Sequence, residues 1–233
     1  MSKIIVIFSG GIDSTTVLYW SKKYFDEIYA ITFDYGQKNK IEIDFAKIIA
    51  KKVGVKEHKI FKIDLSQIGG SALINKGIDI PKNRSIDEIL GGGVAPTYVP
   101  LRNAIFITIA SAWAETLGIE NIAIGVHRID TSGYPDTTPQ FIESIENMLN
   151  TGSKMAVEGK KLKIYTPLID LDKAGIIKLG LSLGADYSYS ISCYAGNEIP
   201  CGKCDACILR KRAFKKLGLE DPLIVRLKKE GKI

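Results

Sequence analysis

Ile4-Ile5-Val6-Ile7-Phe8 runs directly into Ser9-Gly10-Gly11-Ile12-Asp13-Ser14. A short β-branched run, a glycine pair and a set of hydroxyl-bearing residues read as a strand, a tight loop and a helix N-terminus. Glycines let a backbone approach a ligand closely, and the first helical N–H groups with the helix dipole favour phosphate. Ser9, Ser14 and Thr15 add hydroxyl donors. A Walker A loop would close on Gly-Lys-Ser/Thr, and this loop has no such lysine. The junction is therefore a phosphate cradle outside the kinase and GTPase type.

Strand and helix alternate beyond it. Thr15–Lys22 reads as a helix, Glu27–Phe33 as a second strand and Lys59–Ile63 as a third. Between them Ile41, Phe45, Ile48, Ile49 and Val53 recur at helical spacing, and Gly54 ends the helix. Asn121–Val126 and Leu162–Tyr165 add two strands, and Ala104–Leu117, Gln140–Asn150 and Asp172–Leu183 add helices. That order predicts a Rossmann-like, doubly wound parallel sheet of the α/β class. Ligands of such sheets sit beyond the strand carboxyl ends at the switch point. Asp34 ends the second strand, where either a ribose contact or a turn role fits. His127 stands at the same edge, where a catalytic role competes with a hydrogen-bonded structural one, and His58 reads as structural or exposed. Residues 66–100 are rich in glycine and proline with weak periodicity, which predicts a mobile flap.

The chain has 233 residues, 45% hydrophobic and 25% charged, enough to bury a sizeable core without disulfides. Its formal charge of +6 suits a polyanionic ligand such as ATP. Arg210-Lys211-Arg212, Lys215-Lys216 and Lys228-Lys229 read as solvated helix faces, so no direct nucleic-acid partner is expected. With no targeting segment visible and no apolar stretch long enough to span a bilayer, the expected location is cytoplasmic, away from the membrane.

All four cysteines, Cys193, Cys201, Cys204 and Cys207, fall in one C-x7-C-x2-C-x2-C window. Four thiolates at that spacing suit a structural Zn²⁺ ion in a tetrahedral, all-cysteine site. An iron–sulfur cluster or paired disulfides are the rivals, with zinc preferred. Two units are expected: a nucleotide-binding α/β domain over 1–185, and a zinc-binding helical C-terminal segment over 186–233. Committing every cysteine to metal leaves none as a nucleophile, which counts against a built-in glutaminase or a persulfide-based sulfur transfer.

The Ser9–Ser14 loop resembles the Ser-Gly-Gly-x-Asp-Ser loop of the N-type ATP pyrophosphatases, which cleave ATP between the α and β phosphates. Further pieces narrow the resemblance: Phe33-Asp34-Tyr35-Gly36-Gln37, Tyr98-Val99-Pro100-Leu101-Arg102-Asn103, Asp130-Thr131-Ser132-Gly133-Tyr134-Pro135-Asp136, Thr166-Pro167-Leu168, Cys193-Tyr194 and the run Cys201–Arg210. Together they resemble the 7-cyano-7-deazaguanine synthase family along nearly the whole chain. Two departures stand out, since the family pattern has glycine where this chain has Leu101, and Cys-Arg where it has Thr137-Thr138.

The resemblance implies an adenine nucleotide alpha hydrolase-like fold and a ligase. Its substrates would be ATP with Mg²⁺, 7-carboxy-7-deazaguanine and ammonia, and its assembly a homodimer. It implies ATP binding along Phe8, Ser9, Gly10, Gly11, Ile12, Asp13, Ser14, Thr15, Thr16, Val17 and Leu18. Asp13, Arg102 and Lys173 become candidates for catalysis, and Tyr35, Gln37, Arg102, Asn103, Asp130, Tyr134 and Asp136 for substrate binding. Two other readings remain in view: another ATP pyrophosphatase making an amide or a thiolated base, and a zinc-ribbon nucleic-acid-binding protein.

Overall fold

Isoleucine and valine in the first strand have no exposed face, and the computed structural model accounts for this by placing that strand at the centre. It describes residues 1–75, 77–91, 93–129 and 133–233. Strands β1 (Lys3–Ile7), β2 (Glu27–Asp34), β3 (Glu57–Lys62), β4 (Asn121–Ile124) and β5 (Lys163–Tyr165) form one parallel sheet in the order β3-β2-β1-β4-β5. Ile5 and Ile7 point into one apolar layer, Ile4 and Val6 into the other. A parallel strand covered on both faces needs a continuous apolar run, and β1 has one.

The helices sort onto the two faces as doubly wound topology requires. Helices α1 (Ile12–Tyr24), α2 (Ile41–Val53) and α7 (Lys173–Ser182) pack over Ile4 and Val6. Helices α4 (Arg102–Leu117) and α5 (Pro139–Gly152) pack over Ile5 and Ile7. Helix α4 is apolar on nearly all sides because it lies between the sheet and its neighbours; its Phe106 ring stacks on Phe33 of β2 at 3.9 Å between centroids. Strand order reverses between β1 and β4, which opens the crevice at their carboxyl ends.

The shorter pieces have no helical period long enough to read from sequence. They are α3 (Ile86–Leu90), α6 (Lys154–Val157), α9 (Pro222–Lys229) and the 3-10 turns at Leu65–Gln67 and Pro135–Thr137. Within 66–100, Leu73, Ile74 and Val99 are buried in the main core. Helix α3 opens on a capping box: Ser85 Oγ accepts from Glu88 N–H, and Glu88 Oε2 accepts from Ser85 N–H. The stretch before it docks on the C-terminal segment. Lys82 bridges Cys204, Asn83 N–H donates to the Lys203 carbonyl at 2.8 Å, and the Arg84 guanidinium pairs with the buried carboxylate of Asp205.

The C-terminal segment packs on the sheet's helices. Helix α8 (Asp205–Lys216) places Ala213 and Phe214 in the α1–α7 layer, while α9 puts Leu223 and Leu227 against Phe45 of α2 and the cysteines. No described helix is long and apolar enough to cross a membrane.

Candidate active site

Phosphate-binding geometry starts with the loop itself. Gly11 is the N-cap of α1, and the Thr15 N–H makes the first intrahelical bond, to Gly11 at 2.9 Å. The N–H groups of Ile12, Asp13 and Ser14 therefore have no partner within the helix. Serine hydroxyls hold the turn: Ser9 N–H donates to Ser14 Oγ at 3.2 Å, and the two hydroxyls lie 3.1 Å apart. Two glycines permit the close packing around it. Gly10 has φ +82°, and a Cβ there would sit 3.0 Å from the Glu42 carbonyl oxygen. A Cβ at Gly125, after β4, would sit 3.0 Å from the backbone of Asp13 and Ser14.

Beyond Ser14 the side chains turn inward. Val17 and Leu18 are fully buried, Phe8 is nearly so, and Thr16 Oγ1 donates to the Ile12 carbonyl and lies 2.6 Å from the Tyr187 hydroxyl. Thr15 is buried too. Of the residues expected to bind ATP, Phe8, Ser9, Gly11, Ile12, Asp13 and Ser14 line the cavity, while Gly10, Thr15, Thr16, Val17 and Leu18 stand behind it.

Asp13 meets two groups from other elements. Lys173, first residue of α7, donates to both carboxylate oxygens at 2.7 and 2.8 Å. His127 Nε2 lies 3.2 Å from Lys173 Nζ and 3.6 Å from Asp13 Oδ2. His127 Nδ1 lies 2.7 Å from the Ile129 carbonyl, toward which it carries a proton. Burial alone would raise the Asp13 pKa, but Lys173 and His127 reverse this and hold the carboxyl well below the usual carboxylate range. Lys173 is placed by Asp172, whose carboxylate caps α7 through the Gly175 N–H at 2.7 Å.

Next to this cluster lies a cavity of about 300 Å³, walled by Phe33, Tyr35, Phe106, Tyr134 and Tyr194. Arg102 enters it from the first turn of α4, with Nη1 3.4 Å from the Tyr35 hydroxyl and no carboxylate partner among the described residues. Desolvation opposes its charge, but Tyr35, Tyr134 and Asp136 together outweigh that and hold the guanidinium charged. A charged, unpaired guanidinium in a cavity is a ready anion partner.

The remaining candidates divide between lining and support. Gln37 faces the cavity, yet its amide is spent internally: Oε1 accepts from Tyr35 N–H, and Nε2 donates to the Phe33 carbonyl and to Glu42 Oε1. Asn103 lines the cavity and is fixed by Asp136, whose Oδ2 accepts the Asn103 N–H at 3.0 Å at the α4 N-terminus. Asp136 itself does not line the cavity, and burial raises its pKa. Tyr134 does, with its hydroxyl 2.8 Å from Thr97 Oγ1. Asp130 lies outside the described residues. Asp34 faces Lys40 at 3.7 Å, away from the cavity, and His58 is structural: Nε2 is 2.8 Å from Thr32 Oγ1 and burial lowers its pKa to about 4.

Glu42, in the first turn of α2, was not read from the sequence. An acidic residue there is ordinary helix-dipole chemistry, and only its place after the polar end of β2 hinted at more. Tyr194 stands in the Cys193-Tyr194 piece of the family resemblance, with no role read from it.

Cys193, Cys201, Cys204 and Cys207 bring one sulfur each to within 4.8 Å of all the others. Backbone N–H groups face them: Ala195 and Cys201 donate to Cys193 Sγ, and Cys204 donates to Cys201 Sγ, at 3.3–3.4 Å. Such donors stabilise thiolates, and an all-sulfur, largely buried donor set fits a closed structural metal site.

A sequence model of the family described as queuosine biosynthesis protein QueC matches residues 3–218. A protein of Cellvibrio japonicus named 7-cyano-7-deazaguanine synthase is 46% identical over 222 residues, covering 94% of this chain and 96% of its own. A protein of the same name from Rickettsia prowazekii is 47% identical over 225 residues, covering 96% and 99%. Among solved structures, a 4-thiouridine synthetase–RNA complex with bound ATP aligns with a TM-score of 0.51 at 18% identity, over 92% of this chain and 53% of that one. At that identity the likeness is one of fold.

Proposed function

We propose, from the premise that this chain belongs to the queuosine biosynthesis protein QueC family, that it is an ATP-dependent 7-cyano-7-deazaguanine synthase. The observation that carries the reading is the adjacency of two sites. A helix N-terminus with three free N–H groups and the Asp13–Lys173 pair opens onto an aromatic cavity holding an unpaired arginine.

A carboxylate is a poor electrophile because oxide is a prohibitive leaving group. Transfer of AMP from ATP to the 7-carboxylate gives an acyl adenylate and diphosphate. Ammonia then displaces AMP and forms the amide. A second AMP transfer, to the amide oxygen, lets AMP leave while the remaining N–H protons are lost and the C≡N bond forms. Ile12, Asp13 and Ser14 N–H groups would hold the departing diphosphate, and Lys173 would balance its charge. Asp13 has carboxylate oxygens suited to Mg²⁺, which when bound neutralises phosphate charge. Arg102 would hold the 7-carboxylate in line with the α-phosphate. Tyr134, Tyr35 and Asn103 would border the ring, with Gln37 and Asp136 fixing their neighbours and Asp130 a further candidate contact. The cysteines would hold Zn²⁺ in a structural role. Ammonia as nitrogen donor, a homodimeric assembly, a cytoplasmic location and the absence of a nucleic-acid partner belong to the same reading.

The test is mass spectrometry of the small molecules formed from ATP, Mg²⁺, ammonium and 7-carboxy-7-deazaguanine by the metal-loaded protein. A nitrile with AMP and diphosphate is expected. AMP without nitrile would move the assignment to a different acceptor, and neither product would remove the reading.

A further inference from the structure

Apart from Asp13, Glu42 is the one carboxylate among the described residues that lines the cavity. Each of its oxygens has one side-chain donor among the described residues: Gln37 Nε2 donates to Oε1 at 3.0 Å, and Asn39 Nδ2 donates to Oε2 at 3.4 Å. Each oxygen of a carboxylate accepts two hydrogen bonds. One acceptor position per oxygen therefore remains on a carboxylate that lines the cavity. Gln37 cannot rotate to cover them, because its amide is pinned by Tyr35 N–H and the Phe33 carbonyl.

The charged groups around Glu42 leave the fork unneutralised. Tyr35 faces it from the end of β2 and Arg102 from α4, without an ion pair to either. Lys173 is committed to Asp13, and Arg210 of α8 to Asp221. A fork with two free, adjacent acceptor positions matches a ring edge that offers two adjacent N–H donors. In a guanine-type ring that edge is N1–H with the 2-amino group.

Resting on the proposed function above, we infer that Glu42 determines substrate specificity by accepting the N1–H and 2-amino hydrogens of the deazaguanine ring, one on each carboxylate oxygen. Burial raises the Glu42 pKa from 4.5 to about 7, with Gln37 and Arg102 opposing. Substrate binding needs the ionised form, so affinity falls as the pH drops through that range.

The experiment compares 7-carboxy-7-deazaguanine with its analogue lacking the 2-amino group, on wild type and E42Q. Wild type should favour the amino compound by roughly 100-fold or more in kcat/KM, since an unpaired buried acceptor rejects the analogue. E42Q should raise KM for the amino compound by roughly 30-fold or more, leave KM for ATP within about threefold, and reduce the discrimination to a few-fold. The wild-type KM for the acid should rise about tenfold per pH unit below 7, and that of E42Q should stay flat. Retained discrimination in E42Q, or an equal loss of kcat on both acids at unchanged KM, would overturn the inference. Should E42Q fail to fold, wild type decides alone: equal kcat/KM for the two acids refutes it. Wild type that turns over neither acid refutes the proposed function itself, a distinct result that takes this inference with it.

Discussion

Leu101 sits in the left-handed region, at φ +52° and ψ +23°, as the N-cap of α4. A Cβ in that conformation crowds the following carbonyl at a cost of about 1–2 kcal/mol. Glycine would relieve the crowding but loses about 0.4–1 kcal/mol through the greater entropy of its unfolded chain. Leu101 is 60% exposed, so truncation also forfeits about 1 kcal/mol of apolar burial. Those terms nearly cancel against wild type, and the informative comparison is L101G against L101A. Both lose the same burial, and only alanine keeps the crowding. L101G should be the more stable by about 0.5–1 kcal/mol, a melting difference of roughly 1–4 °C. At an ordinary helical position alanine wins by a similar margin, so the sign alone is diagnostic. The backbone contacts of residue 101, from its N–H to the Tyr98 hydroxyl and from its carbonyl to Ile105 N–H, survive both changes. KM for the acid should accordingly stay unchanged in L101G. Thermal and denaturant unfolding of the pair are the assay. An L101A protein as stable as L101G would show that residue 101 bears no left-handed strain.

Four other outcomes are expected. D13N should cut AMP formation by roughly 100-fold or more, as should removal of the Lys173 ammonium in K173M; steady-state AMP release measures both. If the four cysteines hold a metal, its chelation should lower the melting point and expose the 77–91 stretch to limited proteolysis, because Lys82, Asn83 and Arg84 dock on residues 203–205. T138A should lose about 1 kcal/mol by denaturant unfolding, since Thr138 Oγ1 caps α5 at the Phe141 N–H with Pro139 beside it. For pH, Glu42 keeps its proton to about 7 in the fold but only to 4.5 in the unfolded chain. The native state then binds more protons between those values, so stability falls as pH rises from 4.5 to 7, by at most about 3 kcal/mol from this group. E42Q should flatten that part of the profile in urea unfolding.

Much of the architecture could be read in advance because it is local. The Ile4–Phe8 run, Gly10-Gly11 and the spacing from Ile41 to Val53 each signal their element within a few residues. The four cysteines are legible for the same reason. Much of what escaped depends on distance in sequence or on which way a side-chain amide turns. Arg84 and Asp205 are 121 residues apart, and Lys173 reaches Asp13 across 160. No local pattern reveals that Gln37 spends its amide on the turn and on Glu42, or that Asp136 faces a helix N-terminus. Leu101 was noted only as a departure from a family pattern; the backbone angle explains why glycine suits that place.

Ser192 and Tyr194 line the cavity while Cys193, between them, belongs to the sulfur cluster. Just before them, Ile191 N–H is tied to the Gly10 carbonyl at 3.1 Å. One short ribbon thus serves as wall on one side and anchor on the other, and the two cannot drift independently. A single-residue insertion or deletion between Ile191 and Tyr194 would present a cavity residue to the sulfur cluster and a thiol to the cavity. Were a metal to seat on the four sulfurs, its occupancy would become a tension on the pocket wall, and its loss would relax the cavity along with the C-terminal segment.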